Sequence, residues 1–402
     1  MSKITSFIVI ALLSVPFCFS QNDFSQWRGP NRNGIYPEKN LLTEWPVGGP
    51  ELLWKYDQLG SGFSSVAATT NRVFATGTID SITYVFSFDP KGTLLWKKPL
   101  GPDWMGEWPG IYSSPVISKG YGFVVNSLGV LYCFSTENGS ICWSKDLFRE
   151  FDGRQITGGF LDNLILDGDT LFCAPGGAVN NIVALSQRTG KLIWKSKGDT
   201  TVTGYGSPIL IRDRDKKLYV YQDANSIRAL NTTNGQLDWK YSRKAPTPNT
   251  PLYRGGQLFA LDEQGSFMLR LAGKDAGVQL SWKNPDFFSF QGDAVLINDQ
   301  IFGKGKGKKF CCIDWLTGQE IYSTPIKAMV VMVIAADGLL YCYDFNGTVT
   351  LLKPLGDRFE TRGSFAIPGG IVEHCSHPVI QDGKLYIRHD NSLFVYNISK
   401  EI

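Results

Sequence analysis

The chain has 402 residues, of which 13% are aromatic, 19% are charged and 43 are glycine, and its formal net charge is +3. This composition argues against a disordered or a helical protein and favours many short strands joined by turns. A nearly neutral chain without a basic stripe also argues against nucleic acid as a partner.

The first 20 residues have the pattern of a secretory signal peptide. One lysine precedes an apolar stretch from Phe7 to Phe19, and we expect cleavage before Gln21. The stretch is shorter than the roughly 20 residues that a membrane span needs, and no other segment could span a membrane. Cys18 permits a lipoprotein interpretation, but Phe17 occupies a position where lipidation favours a small residue. The sequence therefore predicts a periplasmic or secreted protein.

A short motif that ends in tryptophan recurs along the chain. The aligned residues are Trp54, Trp96, Trp143, Trp194, Trp239 and Trp282, at intervals of 42 to 51 residues. Four of them follow a glycine by four positions, as expected where a tight hairpin needs a positive φ. Residues 113–147 show one complete unit, with four alternating strands separated by glycine-containing turns. Four strands within such a period indicate the blade of a β-propeller.

Eight such units can be counted from their opening strands, which lie near Ser64, Ser113, Asp162, Gly206, Asn249, Gly292, Val331 and Ser376. The last unit has only three strands, whereas "ELLWKYD" at 51–57 is a fourth strand without a blade of its own. We therefore expect an all-β, eight-bladed β-propeller of four-stranded antiparallel blades, in which the N-terminal strand pairs with the C-terminal blade and closes the ring. Trp54 should then share a sheet with Leu385 and Phe394.

Three segments carry this interpretation further. The sequence "ALSQRTGKLIW" at 184–194 resembles the Ala-x-Asp-x-x-Thr-Gly-x-x-x-Trp docking motif of quinoprotein (PQQ) dehydrogenase propellers, and residues 229–239 and 312–322 are close variants. In that family the tryptophan packs between adjacent blades, and the resemblance implies this docking role for the six tryptophans above. Nearly all of residues 26–399 resemble the PQQ-like propeller family of secreted bacterial proteins.

This resemblance implies two alternatives. One is an enzyme similar to quinoprotein alcohol dehydrogenases, which bind PQQ and calcium. The other is a scaffold similar to the lipoprotein BamB, which has no cofactor and a similar length, although this chain lacks a lipobox. PQQ and calcium rest on the resemblance alone. From the N-terminal pattern and the repeat we expect a signal peptide at 1–20, an N-terminal extension at 21–49 and a single propeller domain at 50–402.

Two pairs of cysteines bear on the enzyme alternative. The dehydrogenases carry a disulfide between neighbouring cysteines in a loop above the channel, but Cys311 and Cys312 fall inside a predicted strand. Successive strand residues point to opposite faces, so we expect these two thiols to pack in the core. Cys133 and Cys142 flank one hairpin, where they either form a disulfide or are shifted out of register by a bulge at Gly139.

The long connection at 101–112 supplies the first candidate binding residues. It places Trp104, Glu107, Trp108 and Tyr112 between two blades, on the face where propellers usually bind ligands. Aromatic residues there can stack on sugar rings or anchor a partner protein. Alternatively, they fold over the loop as a small cluster of their own.

A second group of candidates lies at the mouth of the predicted channel. The segment "EHCSH" at 373–377 offers Glu373, His374 and His377 for a small ligand, and the two histidines are weak candidates for a metal. Tyr205 is a further channel candidate, and we expect His389 to lie in a turn.

Together these patterns predict a monomeric binding or scaffold module whose partner is a small molecule, a glycan or an envelope protein. The alternatives are a PQQ-dependent dehydrogenase and a propeller that binds or processes carbohydrate.

Overall fold

The computed structural model describes residues 23–154, 158–198, 206–243, 247–272, 277–369 and 373–400. These residues form eight sheets of four antiparallel strands, one of which carries a fifth, parallel strand, and one five-residue helix, α1 (Leu147–Phe151). In chain order the strands are β1 (Ile35–Tyr36), β2 (Leu52–Tyr56), β3 (Ala67–Ala68), β4 (Val73–Ile79), β5 (Ile82–Phe88), β6 (Leu94–Pro102), β7 (Val116–Ser118), β8 (Tyr121–Val125), β9 (Val130–Ser135), β10 (Ile141–Asp146), β11 (Ile165–Asp167), β12 (Thr170–Cys173), β13 (Val183–Ser186), β14 (Leu192–Lys195), β15 (Ile209–Asp213), β16 (Lys216–Gln222), β17 (Ser226–Asn231), β18 (Leu237–Ser242), β19 (Leu252–Arg254), β20 (Gln257–Asp262), β21 (Gly265–Leu271), β22 (Val278–Asn284), β23 (Ala294–Ile297), β24 (Gln300–Gly305), β25 (Lys309–Asp314), β26 (Glu320–Pro325), β27 (Val331–Ala336), β28 (Leu339–Asp344), β29 (Thr348–Pro354), β30 (Phe359–Ala366), β31 (Val379–Gln381), β32 (Lys384–His389) and β33 (Ser392–Asn397).

The strands pair in chain order within each blade, which confirms the predicted eight-bladed propeller. Blade 1 is β3–β6, and each following group of four strands makes the next blade up to blade 7, β27–β30. The first strand of a blade is buried and innermost, as in β7, whereas the fourth is largely exposed, as in β6. Because strand direction alternates, the connections between blades all emerge on one side, which we call the upper face. The turns after the first and third strands lie on the lower face.

The N-terminal strand closes the ring as expected. Strand β2 pairs with β33 and is the fourth strand of blade 8, with Lys55 opposite Phe394 and Leu52 opposite Tyr396. Trp54 therefore lies in the same sheet as Leu385 and Phe394. Both ends of the chain are needed to complete this blade, because β2 pairs with the edge that β33 would otherwise leave free.

Tryptophans on the outer strands pack against glycine turns of the following blade. An added Cβ on Gly92, which has a φ of +90°, would lie 2.5 Å from the Trp54 ring. The glycines with the same relation to a tryptophan of the preceding blade are Gly139 with Trp96, Gly190 with Trp143, Gly235 with Trp194, and Gly318 with Trp282. Trp239 occupies the equivalent outer strand, β18. The missing side chain thus lets an indole ring cover each turn.

Five of the seven described cysteines are buried, and Cys142 is exposed. Cys311 and Cys312 belong to two different hydrophobic clusters on opposite sides of β25, as expected for consecutive strand residues. Cys133 and Cys142 are free thiols. A bulge places Trp143 opposite Cys133, so Cys142 is out of register with it.

Candidate functional site

The central channel is occupied by residues Ser25–Tyr36 of the chain itself, which we call the axial loop. Ser25 bridges in antiparallel sense to Ile117 of β7, and Ile35 in β1 runs parallel to β27 opposite Ala335. Since inner strands run from the upper to the lower face, the loop enters from below, turns near the upper end and returns downwards. Its contacts reach at least seven of the eight blades.

Arg32 attaches the axial loop to blades 3 and 4. Its guanidinium donates hydrogen bonds to the carbonyl oxygens of Asn163 at 2.8 Å, Leu164 at 2.9 Å and Pro208 at 3.0 Å. Only 3% of the residue is exposed, and burial lowers its pKa to about 10. Three carbonyl groups at the start of the inner strands are thus satisfied by one side chain.

Arg28, Asp293 and His377 form a buried charged cluster at the upper end of the channel. Arg28 Nη1 lies 3.3 Å from Asp293 Oδ1, and His377 Nε2 lies 3.0 Å from Asp293 Oδ2. Burial alone would raise the pKa of Asp293, but the Arg28 guanidinium and the contact with His377 outweigh it and hold that pKa below its usual value. Burial lowers the pKa of His377 despite the nearby carboxylate. The cluster joins the axial loop to blades 6 and 8.

The residues at this end of the channel do not fit PQQ and calcium. Such a site needs a tryptophan floor, free carboxylates for calcium and a cysteine pair in a loop. Instead, Trp27 packs edge-on against His377 with the ring centroids 4.7 Å apart, and the Asp293 carboxylate is already paired with Arg28. The described part of the chain contains no group of three or more His, Cys, Asp or Glu side chains that could hold a metal ion.

His374 and His377, the weak candidates for a metal, have different partners. His377 contacts Asp293, whereas His374 Nδ1 is hydrogen-bonded to the hydroxyl of Tyr343. The His374 ring stacks on His389 with the centroids 3.4 Å apart and the planes 8° from parallel. Burial, with a smaller effect of His389, lowers the pKa of His374 to about 4. The expectation that His389 lies in a turn is wrong, because it is the last residue of β32.

The connection between blades 1 and 2 is ordered by a buried carboxylate. Asp103 accepts hydrogen bonds from the Thr78 hydroxyl at 2.5 Å and from the backbone N–H groups of Trp104 and Ser127, each at 2.9 Å. The Trp104 indole N–H donates to the Glu107 carbonyl oxygen at 2.9 Å. The loop that carries the aromatic candidates is therefore ordered before any ligand arrives.

This loop and blade 8 enclose a cleft of about 330 Å³ on the upper face, which we call the upper cleft. Phe63 and Trp108 line it, with their ring centroids 6.0 Å apart, and Tyr112 stacks on Phe63 at 5.4 Å. The Tyr112 hydroxyl donates to the Trp108 carbonyl oxygen, and 44% of Trp108 is exposed. Glu107 and Asp390 bring two carboxylates to the lining.

Arg388 supports the upper cleft from behind. It donates hydrogen bonds to Ser64 Oγ at 2.5 Å and to the carbonyl oxygens of Gly60 at 3.1 Å and Asp390 at 3.2 Å. Only 2% of Arg388 is exposed. Its hydrogen bonds therefore fix the turn that presents Asp390 beside blade 1.

The structure brings some of the predicted binding residues together and separates others. Glu107 and Trp108 line the upper cleft, with Trp104 and Tyr112 behind them. Glu373 is exposed and is not part of its lining. Tyr205 and the predicted signal peptide at 1–20 lie outside the described residues.

Sequence reasoning missed two residues of the upper cleft, Phe63 and Asp390. Phe63 stands in the segment "SGFSS", and an aromatic residue among small polar ones before an inner strand is a signal that could have identified it. Asp390 is in the turn between the last two strands of the chain, and only ring closure brings it beside blade 1.

These features define the class of the protein: an eight-bladed propeller whose channel is filled by its own chain and whose upper face carries an aromatic cleft. The family described as outer membrane protein assembly factor BamB matches residues 81–324, more than half of the chain. The chain therefore belongs to this family of PQQ-like propellers. No helix among the described residues is long and apolar enough to span a membrane.

Individual relatives are distant. BamB of Moranella endobia (strain PCIT) is 21% identical over 262 residues, which are 58% of this chain and 62% of that protein. The solved BamB of Moraxella catarrhalis has a TM-score of 0.62 at 14% identity, with 87% of this chain and 100% of that chain covered. Quinohemoprotein alcohol dehydrogenase ADHIIG of Pseudomonas putida HK5 has a TM-score of 0.65 at 13% identity, with 92% and 79% covered. Likeness at these identities shows the fold alone.

Proposed function

We propose that the chain is an exported scaffold that binds a partner protein of the cell envelope at the upper cleft. The observation that carries this proposal is the cleft itself, in which the exposed Trp108 and Glu107 of an ordered loop lie beside Asp390 of blade 8. The family description, an assembly factor for outer membrane proteins, supports a protein as the partner. Export follows from the signal peptide predicted at 1–20 and belongs to the same proposal.

The chemistry of the upper cleft favours a basic side chain of the partner. The faces of Phe63 and Trp108 attract a cation, and Glu107 and Asp390 add negative charge. Among the described residues that line the cleft there is no lysine or arginine to compete with such a ligand. Because the loop is already ordered by Asp103, little conformational entropy is lost on binding.

A peptide array tests this proposal. The purified protein is incubated with peptides that present lysine, arginine or trimethyl-lysine, and with matched peptides that carry glutamate or leucine instead. We expect binding to the basic peptides, and we expect Trp108→Ala to raise Kd about tenfold. Phe290→Ala is the matched control, because it removes another exposed aromatic of the upper face, with 58% of the residue exposed against 44% for Trp108. This control should bind as the unchanged protein does.

Two results would overturn the proposal. Binding to basic peptides that Trp108→Ala leaves unchanged would remove the upper cleft from recognition. Binding to a parallel glycan array, lost in Trp108→Ala and kept in Phe290→Ala, would make the ligand a carbohydrate.

A further inference from the structure

The lower face carries a second and larger cavity, of about 720 Å³, between blades 4, 5 and 6. We call it the arginine groove because Arg212, Arg214 and Arg270 line it. Arg212 and Arg214 lie at the turn after the first strand of blade 4, and Arg270 lies near the end of the third strand of blade 5. Both positions belong to the lower face, so the groove and the upper cleft are on opposite sides of the ring.

The three arginines outnumber Asp213, the one carboxylate among the residues that line the groove, and leave it with a net positive charge. All three are exposed, and none forms an ion pair with any residue that the structure describes. Neighbouring lysines on the same blade behave differently, since Lys216 is paired with Asp238 and Lys217 with Asp167. The positive charge of this region is therefore concentrated in the groove.

The backbone of the groove leaves room for a ligand. Gly255 and Gly256 form the turn after the first strand of blade 5, with φ values of +58° and +80° and open space where a side chain would stand. A ligand can approach the main chain closely at such a turn. Tyr253 lines the wall, and its hydroxyl donates to the Arg212 carbonyl oxygen at 3.1 Å, which holds the two blades together.

The geometry points to a docking site for an acidic peptide segment of a partner protein. Guanidinium groups pair with carboxylates through two parallel hydrogen bonds, and three of them line the groove. The groove is far larger than a single ion requires. Leu316, 62% exposed at its edge, offers an apolar contact to a side chain next to the acidic ones.

Asp213 distinguishes a peptide from a compact polyanion. Asp213 also lines the groove, and its negative charge disfavours a dense cluster of phosphate groups more than it disfavours carboxylates spaced along an extended peptide. An extended peptide can place its carboxylates on the arginines and a backbone N–H near Asp213. This inference does not rest on the proposed function, because the arginine groove and the upper cleft lie on opposite faces and would bind ligands of opposite charge.

Fluorescence anisotropy of the full chain tests the inference. The probe is a labelled short peptide of alternating glutamate and leucine, and its counterpart carries glutamine in place of glutamate. We expect the glutamate peptide alone to bind, with an affinity that falls as salt is added. The double variant Arg214→Glu/Arg270→Glu should raise Kd at least about tenfold. Lys308→Glu/Lys327→Glu is the control matched in charge, because both lysines are exposed and lie on the upper face, outside the groove.

Three results would overturn the inference of an acidic peptide site. The first is equal binding of the glutamate and glutamine peptides. The second is an equal loss of binding in Lys308→Glu/Lys327→Glu and in Arg214→Glu/Arg270→Glu, which would indicate a general charge effect. The third is displacement of the peptide by inorganic phosphate or by vesicles of phosphatidylglycerol at lower concentration than by unlabelled peptide, which would make the ligand a phosphate group. Binding of basic peptides at the upper cleft is measured separately and is expected to be unchanged in Arg214→Glu/Arg270→Glu.

Discussion

Arg28 and Asp293 form an ion pair whose side chains are 0% and 2% exposed, with Nη1 and Oδ1 3.3 Å apart. One residue comes from the N-terminal segment and the other from the start of blade 6. The axial loop is consequently part of the folded core of the ring and not an appendage of it. The same pair occupies the end of the channel where a dehydrogenase would need free carboxylates.

Because of this ion pair, we expect substitution of Arg28 to lower the stability of the ring strongly. Arg28→Ala removes the guanidinium that compensates the buried Asp293 carboxylate. Among the described residues the carboxylate then keeps only its contacts with His377 and the Thr250 N–H, and we expect the substitution to lower the free energy of unfolding by about 3–5 kcal/mol. Arg188→Ala, at an exposed position, should change it by less than about 0.5 kcal/mol. Denaturant unfolding followed by fluorescence measures both. A loss below about 1 kcal/mol for Arg28→Ala would show that the axial loop does not support the ring.

Gly92 tests the docking of tryptophan between blades. Gly92→Ala combines a positive φ with a clash against the Trp54 ring, because the added Cβ would lie 2.5 Å from it. Gly48→Ala is the matched control, with a φ of +88° and nothing within 4 Å. We expect Gly48→Ala to lower the free energy of unfolding by about 1–2 kcal/mol, because alanine disfavours a positive φ. Gly92→Ala should lower it by about 1–3 kcal/mol more because of the clash. Thermal or denaturant unfolding of both variants should give equal losses if Trp54 does not pack on this turn.

Asp162 should make stability depend on pH. It is buried beside Arg32, and burial raises its pKa from 3.8 to about 7 although the Ala174 N–H bonds to it at 2.7 Å. Because the folded pKa is raised, the stability from this group is complete below about pH 4 and is lost as pH rises through about 7. Asp162→Asn cannot ionise, so the stability of the unchanged protein relative to this variant should fall between these pH values. The free energy of unfolding of both proteins is measured by denaturant titration at several pH values. A difference between them that stays constant across this pH range would contradict the raised pKa of Asp162.

PQQ and calcium should not load this chain. Trp27 and the Arg28–Asp293 pair fill the upper end of the channel, and Cys311 and Cys312 face away from each other. We expect no saturable quinone absorbance when both are titrated into the purified protein, and no dye-linked oxidation of alcohols. A quinoprotein dehydrogenase loaded in parallel shows that the assay works. A saturable quinone spectrum with turnover would restore the enzyme alternative.

The architecture was predictable because the propeller repeats its signals locally. Tryptophan spacing, glycine turns and the unpaired strand around Trp54 indicated the blade count and the ring closure without any long-range information. The loop candidates from Trp104 to Tyr112 were also visible, since they interrupt the repeat with an unusually long connection.

The channel contents were not predictable in the same way. Arg28 and Arg32 meet their partners in blades 3, 4 and 6, and no local pattern encodes such contacts. The prediction for His389 failed because it rested on the segment "RHDN", whereas pairing with Ser392 extends β32 to this residue. A short segment rich in arginine, glycine and proline before the first blade is the signal to look for in other chains.

The most direct test of the central claim is photo-crosslinking from the upper cleft in the intact cell envelope. A photoreactive phenylalanine analogue replaces Pro109 in the cleft, and in a matched strain it replaces Leu237, 54% exposed on the outer strand of blade 4. The account predicts a defined protein adduct from position 109 that is absent from position 237 and disappears when Trp108→Ala is added. Equal adducts from both positions, or an adduct from 109 that survives Trp108→Ala, would contradict it.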